Sequence, residues 1–371
     1  MVVVWAIVII FFIAFMILTH EWGHYYAAKK CGIKVDQFSI GFGPEIKGWT
    51  RGETRYSIKW ILAGGSVRIA GMNPEEEISE EDLPRTYYQA PLWKRFIVVV
   101  AGSFVHIVIA LILFIILFWP VGHQEPTGTN KVGGVLKTVT LSNKKTVPGP
   151  AYAAHILPGD VLSLVQGNRT KDWDALIKQI QKRPGETVSV TYKRGSTFKT
   201  VKVKLLDINN RGFMGIEQSQ KTVRTNPIAA IGEGFKMLGQ VTVAIFKGIA
   251  SLFSLSTLKI LLGLQARNAE SPRSIVGATQ LAFQAAGQGT GIFIFVIAQF
   301  FLFLGIINLA PLPPLDGGHV LVIFIEWVFK KRIDVRKLAP IAWAVIIVLT
   351  IVAIRLAQLD LLSPLKNPFA P

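Results

Sequence analysis

The residues best suited to chemistry form the short run His20-Glu21-Trp22-Gly23-His24, an H-E-x-x-H motif. On a helix, residues i and i+4 share a face, so both imidazoles converge on one metal ion with the glutamate beside it. Two imidazoles suit zinc, and a catalytic zinc site adds a third protein ligand and keeps one position open. The run therefore predicts a zinc site in which Glu21 activates a water molecule.

Two other interpretations of the motif are weaker. A chance match is expected far less than once in a chain with only 6 His and 23 Asp and Glu. A polar cluster without metal is costly at the end of an apolar helix, because ionisable groups at membrane depth need a partner. A metal site is therefore the favoured interpretation.

Three residues in apolar surroundings are candidates for the third ligand: His106, Asp316 and His319. Asp316 ends the run Asn308-Leu-Ala-Pro-Leu-Pro-Pro-Leu-Asp316, whose prolines prevent a regular helix. Irregular backbone at membrane depth is tolerated only where it lines a protein cavity. A plain proline-rich turn explains the prolines but not the apolar surroundings. Asp316 is therefore favoured, whereas His319 fits the opening of the next helix and His106 a core histidine.

Four apolar blocks are long enough to position these residues in a membrane: 2–19, 96–119, 291–311 and 339–357. The first has 18 uncharged positions, which span about 27 Å as a helix. A signal peptide is the alternative for this block, but the basic start and the small-residue cleavage site are missing. We therefore expect four retained transmembrane helices.

Composition supports a membrane protein and excludes other classes. The 371 residues are 51% hydrophobic and only 17% charged, which excludes disorder driven by high charge. The formal net charge of +17 is compatible with nucleic-acid binding, but a mean hydropathy of +0.43 favours a membrane, so no nucleic-acid partner is expected. The single cysteine, Cys31, excludes an intrachain disulfide.

The distribution of Lys and Arg predicts the orientation. Basic residues follow the first block, precede the second at Lys94 and Arg95, and fill the connection between the third and fourth at 330–337. By the positive-inside rule these connections are cytoplasmic. The active site is then near the cytoplasmic face of the plasma membrane, and both termini and the long 120–290 segment are extracytoplasmic.

The outer segment divides into two parts. Strand-like alternation at Thr187–Tyr192 and Thr200–Lys204, with a helical pattern at Asp172–Arg183, predicts a small α+β domain over 128–207. Residues 226–265 predict an amphipathic interfacial helix. A fifth span is the alternative for this helix, although each of its three lysines would cost about 2.5–3.5 kcal/mol at the bilayer centre.

The motifs together resemble the site-2 protease family, in particular its bacterial RseP-like intramembrane zinc metalloproteases. Members pair H-E-x-x-H with a later N-x-x-P-x-P-x-L-D-G segment, and both are complete here. The resemblance implies that His20, His24 and Asp316 bind zinc and that Glu21 is the general base. It also implies that Asn308 holds the substrate strand or the oxyanion.

The resemblance covers nearly the whole chain. Gly41–Pro44 and Leu62–Arg68 are similar to the family's membrane-entering β element, and Pro91–Arg95 with Ala101-Gly102 is similar to the start of its second helix. Ser103 and His106 stand where the family usually has Pro and Asn.

The outer domain resembles a single PDZ domain. The matching stretches are Val132–Val135, Gly149–Ala151, Leu157–Asp160 and Asn168, whereas His155 stands where such domains usually have Gly. PDZ domains bind extended peptides by strand addition. The resemblance therefore implies a peptide ligand at this groove or a domain that acts as a size filter.

The predicted fold is a multi-pass α-helical membrane protein with four transmembrane helices, a membrane-associated β element and an extracytoplasmic PDZ (α+β) domain. The predicted parts are transmembrane helix 1 with the zinc motif (1–28), the cytoplasmic and membrane-entering β region (29–95), transmembrane helix 2 (96–119), the PDZ domain (128–207), the interfacial helix (226–265), transmembrane helix 3 with the broken ligand segment (290–325) and transmembrane helix 4 (339–357).

The predicted function is hydrolysis, with one catalytic Zn²⁺, of peptide bonds inside transmembrane segments of single-pass proteins after a first extracytoplasmic cut. Anti-sigma factors and signal-peptide remnants are substrates of this kind, and membrane lipid is the other expected partner. Gly64 and Gly65, with the alternating Glu53–Trp60 stretch, predict a β edge that pairs with the substrate strand. Two other functions are the alternatives. An inactive membrane scaffold would have a degraded H-E-x-x-H motif, whereas the motif here is intact. A metal transporter would have several acidic residues along a path through the membrane, whereas the sequence shows essentially one site.

Overall fold

The computed structural model describes residues 2–73, 76–141, 146–267, 271–287 and 289–363. Its chain folds as two compact units. The first, here the helical unit, contains the described residues up to Val121 and from 225 to 363. The second, here the inserted unit, contains Gly122–Arg224.

The helical unit consists of long apolar helices and one β hairpin. Its helices are α1 (Val2–Lys30), α2 (Leu92–Ile116), α5 (Pro227–Leu252), α6 (Leu255–Leu261), α7 (Ile275–Ala286), α8 (Thr290–Asn308), α9 (Asp316–Phe329) and α10 (Ala339–Leu362), and its strands are β1 (Val35–Arg51) and β2 (Thr54–Ile69). The predicted third span is thus a helix, a break at 309–315 and a second helix, because three prolines occupy the break.

Small residues bring α1 and α2 into close contact. A Cβ at Gly23 of α1 would lie 2.6 Å from the carbonyl oxygen of Ala101 on α2. Because real Cβ atoms do not approach so closely, only glycine permits this crossing, as is common between helices in membranes. Farther along the bundle Met16, Phe114 and Phe301 form an apolar core shared by α1, α2 and α8.

The β hairpin folds back on itself. Residues 37–40 of β1 pair on one side with 55–58 and on the other with 65–68, both antiparallel. Large apolar side chains such as Phe42, Trp60 and Ile61 are exposed on this hairpin. An exposed apolar β surface of this kind marks a membrane or protein contact.

An ion-pair cluster attaches the hairpin turn to the end of α1. The carboxylate of Glu53 lies 2.9 Å from Lys29 Nζ and 2.8 Å from Arg85 Nη1. The hydrogen bonds from Arg85 and Lys29 lower the pKa of Glu53 to about 2. The turn is therefore held electrostatically beside the helix that carries the H-E-x-x-H motif.

Four segments of the described residues are long and apolar enough to cross a membrane: Leu92–Val121, Pro227–Leu252, Thr290–Asn308 and Arg336–Leu362. Three of them overlap predicted spans, and the first predicted span lies within α1. The remaining segment, Pro227–Leu252, is α5, whose Val241 is buried in the core shared with α2 and α8. The length of α5 is compatible with both interpretations of this segment, an interfacial helix and a fifth transmembrane span. Its position in the membrane therefore stays a prediction.

The predicted helix over 226–265 is divided into α5 and α6. The break follows Phe253, where the Ser254 side chain accepts a hydrogen bond from the Thr257 amide and caps the new helix.

The inserted unit is a small α+β fold. Its elements are β3 (His123–Pro126), β4 (Val132–Val135), β5 (Thr138–Thr140), β6 (Thr146–Pro148), α3 (Pro150–Ala153), β7 (Val161–Val165), β8 (Asn168–Arg169), α4 (Trp173–Gln181), β9 (Thr187–Arg194), β10 (Thr197–Lys204), β11 (Leu206–Ile208), β12 (Arg211–Phe213), β13 (Ile216–Gln218) and β14 (Gln220–Val223). The main sheet has the order β10-β9-β7-β8.

The core of the inserted unit is apolar. Leu162, Val188 and Val190 of the sheet pack with Leu176 and Ile180 of α4 and are almost fully buried. The predicted strands at Thr187–Tyr192 and Thr200–Lys204 lie within β9 and β10. The predicted helix at Asp172–Arg183 is α4, and Asp172 caps it by accepting from the Ala175 amide.

Candidate metal centre

The end of α1 and the start of α9 bring three possible ligands together. His20, His24 and Asp316 each offer one atom, and these atoms all lie within 4.8 Å of one another. Asp316 Oδ2 is 3.1 Å from His20 Nε2 and 3.4 Å from His24 Nε2. The two imidazoles are buried, so this cluster lies inside the helical unit.

The hydrogen bonds of the cluster fit a zinc ion. His24 Nδ1 lies 2.8 Å from the carbonyl oxygen of Val98, so Nδ1–H donates and Nε2 keeps its lone pair toward His20 and Asp316. Asp316 Oδ2 is buried and has no hydrogen-bond partner among the described residues. Two imidazole nitrogens and one carboxylate oxygen are a typical catalytic zinc ligand set with a position left open.

Glycines make room for this arrangement on α2 and α9. A Cβ at Gly102 would lie 2.5 Å from His24 Nε2 and 2.7 Å from His20 Cε1. A Cβ at Gly317 would lie 2.1 Å from the carbonyl oxygen of Ala310, in the break before α9. Glycine is therefore required at residue 102, where α2 approaches the two histidines, and at residue 317, where the start of α9 approaches the break.

Glu21 lies beside the cluster and is oriented by the hairpin. Its Oε2 accepts a hydrogen bond from the Val67 amide at 2.9 Å, and a Cβ at Gly65 would lie 3.4 Å from Glu21 Cγ. The segment of β2 around residues 65–67 thus passes directly beside the carboxylate. A backbone hydrogen bond leaves the other carboxylate oxygen for chemistry.

The structure brings Asn308 to the cluster and places Gly64 against Phe42 of the hairpin. Asn308 Nδ2 lies 3.5 Å from His20 Nε2, at the last residue of α8. Gly64 has a φ of 155°, and its Cβ would meet the Phe42 ring at 2.4 Å. Gly64 therefore shapes the hairpin, whereas Gly65 contacts Glu21.

The other two histidines considered as third ligands are not in the cluster. The His319 ring lies against Tyr87, with ring centroids 6.4 Å apart. His106 is fully buried on α2, where its ring centroid is 5.0 Å from that of His20 and its Nε2 is 2.8 Å from the carbonyl oxygen of Met16.

Sequence reasoning missed the contacts that support the ligands. The acceptor for His24 is a backbone carbonyl, that of Val98, which no side-chain pattern reveals. A second feature is the buried ion pair of Arg95 and Glu326, whose Nη1 and Oε2 are 2.5 Å apart and join α2 to α9. The available signal was a charged residue next to an apolar run, Arg95 before the second apolar block and Glu326 within 319–329.

Comparison with known proteins adds independent findings. The model of peptidase family M50 matches residues 8–353. The zinc metalloprotease Rip1 of Mycolicibacterium smegmatis is 31% identical over 94% of this chain and 94% of its own length. Rip1 of Mycobacterium tuberculosis is 29% identical over 97% of this chain and 98% of its own. The PDZ domain of the SdrC-like protein from Listeria monocytogenes is 26% identical over 23% of this chain and 87% of that one, with a TM-score of 0.18.

Proposed function

The chain belongs to peptidase family M50, and we propose that this zinc metallopeptidase of the site-2 type hydrolyses peptide bonds within transmembrane segments of single-pass membrane proteins. The observation that carries the proposal is the cluster of His20, His24 and Asp316 beside Glu21, in a unit of long apolar helices. The proposed substrates, such as anti-sigma factors or signal-peptide remnants, have already received a first extracytoplasmic cut.

Each residue of the cluster has a proposed task. His20, His24 and Asp316 hold the zinc ion, which when bound polarises a carbonyl oxygen and makes water a better nucleophile at neutral pH. Glu21 accepts the proton of the attacking water and returns it to the leaving amide nitrogen. The Val67 amide holds one oxygen of Glu21, which fixes the direction in which the other oxygen points.

Substrate presentation is the second part of the proposal. A transmembrane helix hides its carbonyls in its own hydrogen bonds, so it must unwind before hydrolysis. The β2 segment around Gly65 runs beside Glu21, and an extended substrate strand placed along it lies next to the catalytic carboxylate. Asn308, 3.5 Å from His20 Nε2, is positioned to donate to the substrate strand or to the oxyanion.

The inserted unit is the proposed selectivity element. We place it and both termini on the extracytoplasmic side, with the cluster near the cytoplasmic face, as the distribution of Lys and Arg predicts. In this arrangement the inserted unit excludes substrates that still carry a bulky outer domain. Deleting residues 131–206 is expected to extend cleavage to uncut substrates, and unchanged selectivity would contradict this part.

The decisive experiment is Glu21→Gln in proteoliposomes with a single-pass reporter. We expect cleavage to fall by at least about 100-fold, because general-base catalysis contributes that much or more, while zinc content is kept. Glu80→Gln is the matched control, since Glu80 is exposed and distant in sequence from the motif. Persistent cleavage by a zinc-loaded Glu21→Gln protein would refute the assignment.

A further inference from the structure

Two buried ring nitrogens beside the metal centre have no hydrogen-bond partner among the described residues. They are His20 Nδ1 on α1 and His106 Nδ1 on α2. The two ring centroids are 5.0 Å apart, and His106 is fully buried, with the Phe301 ring centroid 5.4 Å from its own. Buried polar atoms are nearly always satisfied, so a neighbouring pair of orphans calls for an explanation.

The protons on these rings follow from their other contacts. His106 Nε2 lies 2.8 Å from the carbonyl oxygen of Met16, so Nε2 carries the hydrogen and Nδ1 of the neutral ring has a free lone pair. His20 Nε2 faces Asp316 and His24, and a nitrogen that binds a metal needs its lone pair. The hydrogen of the His20 ring is therefore on Nδ1. One orphan is a donor and the other an acceptor.

We propose that His106 is a positioning residue of the zinc site, whose Nδ1 accepts a hydrogen bond from His20 Nδ1–H through one water molecule. This inference rests on the ligand set of the proposed function. His24 already has such an acceptor, the carbonyl oxygen of Val98 at 2.8 Å. With His106, each ligand imidazole has an acceptor that fixes its ring and makes it a stronger ligand.

The space beside His20 Nδ1 is open toward α2 because residue 102 is glycine. A Cβ there would lie 2.8 Å from His20 Nδ1. His106 is four residues after Gly102, so it lies on the same face of α2, one turn away. Gly102 and His106 therefore lie on the face of α2 that borders the His20 ring.

Two competing roles for His106 make different predictions. As a direct zinc ligand it would bind through Nδ1 and keep Nε2 on Met16, but neither of its ring nitrogens belongs to the cluster of possible ligands found among the described residues. As a purely structural residue it would act only through the hydrogen bond to Met16, which joins α1 to α2.

The experiment uses two substitutions that separate the ring nitrogens. The amide carbon of Asn is Cγ, so its polar atoms reach the position of Nδ1, whereas those of Gln reach the position of Nε2, and both amides donate and accept. We therefore compare His106→Asn with His106→Gln in the full-length detergent-solubilised protein. The readout is zinc affinity, measured by competition with a chromophoric chelator, together with the thermal unfolding temperature of the metal-free proteins.

We expect His106→Gln to weaken zinc binding by about 10–100-fold and His106→Asn to keep it within about threefold of the wild type. The Met16 hydrogen bond predicts the opposite order for the unfolding temperature, with His106→Asn the less stable. Unchanged zinc affinity in His106→Gln, or equal loss in both variants, would overturn the proposal.

A third variant separates this proposal from the function on which it rests. His24→Ala removes one of the proposed ligands and is expected to abolish tight zinc binding. If His24→Ala binds zinc as the wild type does, the ligand set is wrong and both proposals fail. If His24→Ala loses zinc but His106→Gln does not, only the role of His106 is refuted.

Discussion

The helical unit and the inserted unit solve the problem of a stable interior in opposite ways. In the inserted unit the interior is mainly apolar, with residues such as Leu162, Leu176 and Val190 excluded from solvent. In the helical unit buried ion pairs join its segments: Arg95 of α2 pairs with Glu326 of α9, and Arg267, in the connection after α6, pairs with Asp360 of α10. Exposed apolar side chains such as Trp343 and Ile354 of α10 lie on its outer surface.

The difference follows from the solvent around each unit. In lipid, apolar side chains gain little by leaving the surroundings for a helix interface, so close packing and buried polar contacts fix the helices. In water, burial of apolar area is the main stabilising term. Buried polar contacts therefore both hold the helices of the helical unit together and position the residues of its candidate metal centre. The core of the inserted unit contributes to stability alone.

The largest expected effect is the loss of one partner of the Arg95–Glu326 pair. The side chains are 2% and 3% exposed, so Arg95→Met leaves an uncompensated buried carboxylate. We expect a loss of about 3–5 kcal/mol in the free energy of unfolding, with most of it recovered in Arg95→Met with Glu326→Leu. The measurement is hydrogen exchange of α2 and α9 in detergent.

Arg55→Met is the matched control for this pair. Arg55 also lies 2.7 Å from a carboxylate, that of Glu45, but it is 53% exposed. An exposed pair contributes at most about 1 kcal/mol. Equal effects of the two substitutions would break the comparison, because buried polar contacts would then not be what holds the helical unit together.

In the inserted unit the corresponding test removes apolar volume. Leu162→Ala in β7 is expected to cost about 2–5 kcal/mol, because the side chain is fully buried and the cavity collapses only in part. Hydrogen exchange of β7 and β9 reports the loss, while the amides of α2 and α9 keep their protection. Leu157→Ala is the control, since Leu157 is 49% exposed. If Leu162→Ala lowered the protection of α2 and α9 as much as that of β7 and β9, the two units would not be stabilised separately.

How much the sequence predicted depends on the range of each contact. The H-E-x-x-H residues act through i, i+4 spacing on one helix, so their convergence is local and could be read from the residues. Asp316 is almost 300 residues away, and the broken proline-rich backbone around it was the signal that singled it out. The four apolar blocks correspond to long helices because span length is set by the bilayer.

The remaining contacts depend on tertiary geometry that no local pattern contains. The hairpin pairs residues 37–40 with two different segments, and alternation in one strand does not reveal a second partner. The partnership of Arg95 with Glu326 joins residues 231 positions apart. Val98 accepts from His24 through its backbone carbonyl, which every residue type has. The identity of residue 98 therefore could not reveal this contact.

A smaller effect is expected at Asp160, a strongly buried carboxylate of the inserted unit that has an ion-pair partner. Asp160 Oδ1 and Oδ2 each lie 2.7 Å from an Arg194 nitrogen, and Oδ2 accepts from the Leu157 amide. Burial alone would raise the pKa of Asp160, but the hydrogen bonds from Arg194 and Leu157 outweigh it and lower the pKa below its ordinary 3.8. Asp160→Asn is expected to cost about 1.5–3 kcal/mol at neutral pH.

The sign of the pH dependence follows from that lowered pKa. A carboxyl group with a depressed folded-state pKa stabilises the fold above its unfolded value and loses this contribution as the pH falls through the folded value. Protection of the wild-type β7 amides should thus fall below about pH 4, and Asp160→Asn should remove that part of the dependence. Identical pH profiles for the two proteins would contradict the role of Asp160.

The smallest effect is expected at His155, whose backbone conformation is unfavourable for a residue other than glycine. His155 follows α3 with a φ of 56°, the left-handed region that glycine occupies freely. Its side chain is exposed, and its carbonyl accepts from Arg194 Nη2, a contact that any residue type can keep. Relief of the left-handed strain, about 1–2 kcal/mol, exceeds the entropy that glycine loses on folding, about 0.5–1 kcal/mol.

His155→Gly is therefore expected to stabilise the inserted unit by about 0.5–1 kcal/mol, read as slower exchange of the β7 and β9 amides. Ala153→Gly is the matched control, because Ala153 lies within α3 and glycine there should destabilise by about 0.5–1 kcal/mol. Opposite signs at positions two residues apart would show that backbone conformation, rather than side-chain contact, sets the effect. A loss of stability in both variants would mean that the His155 side chain itself supports the loop before β7.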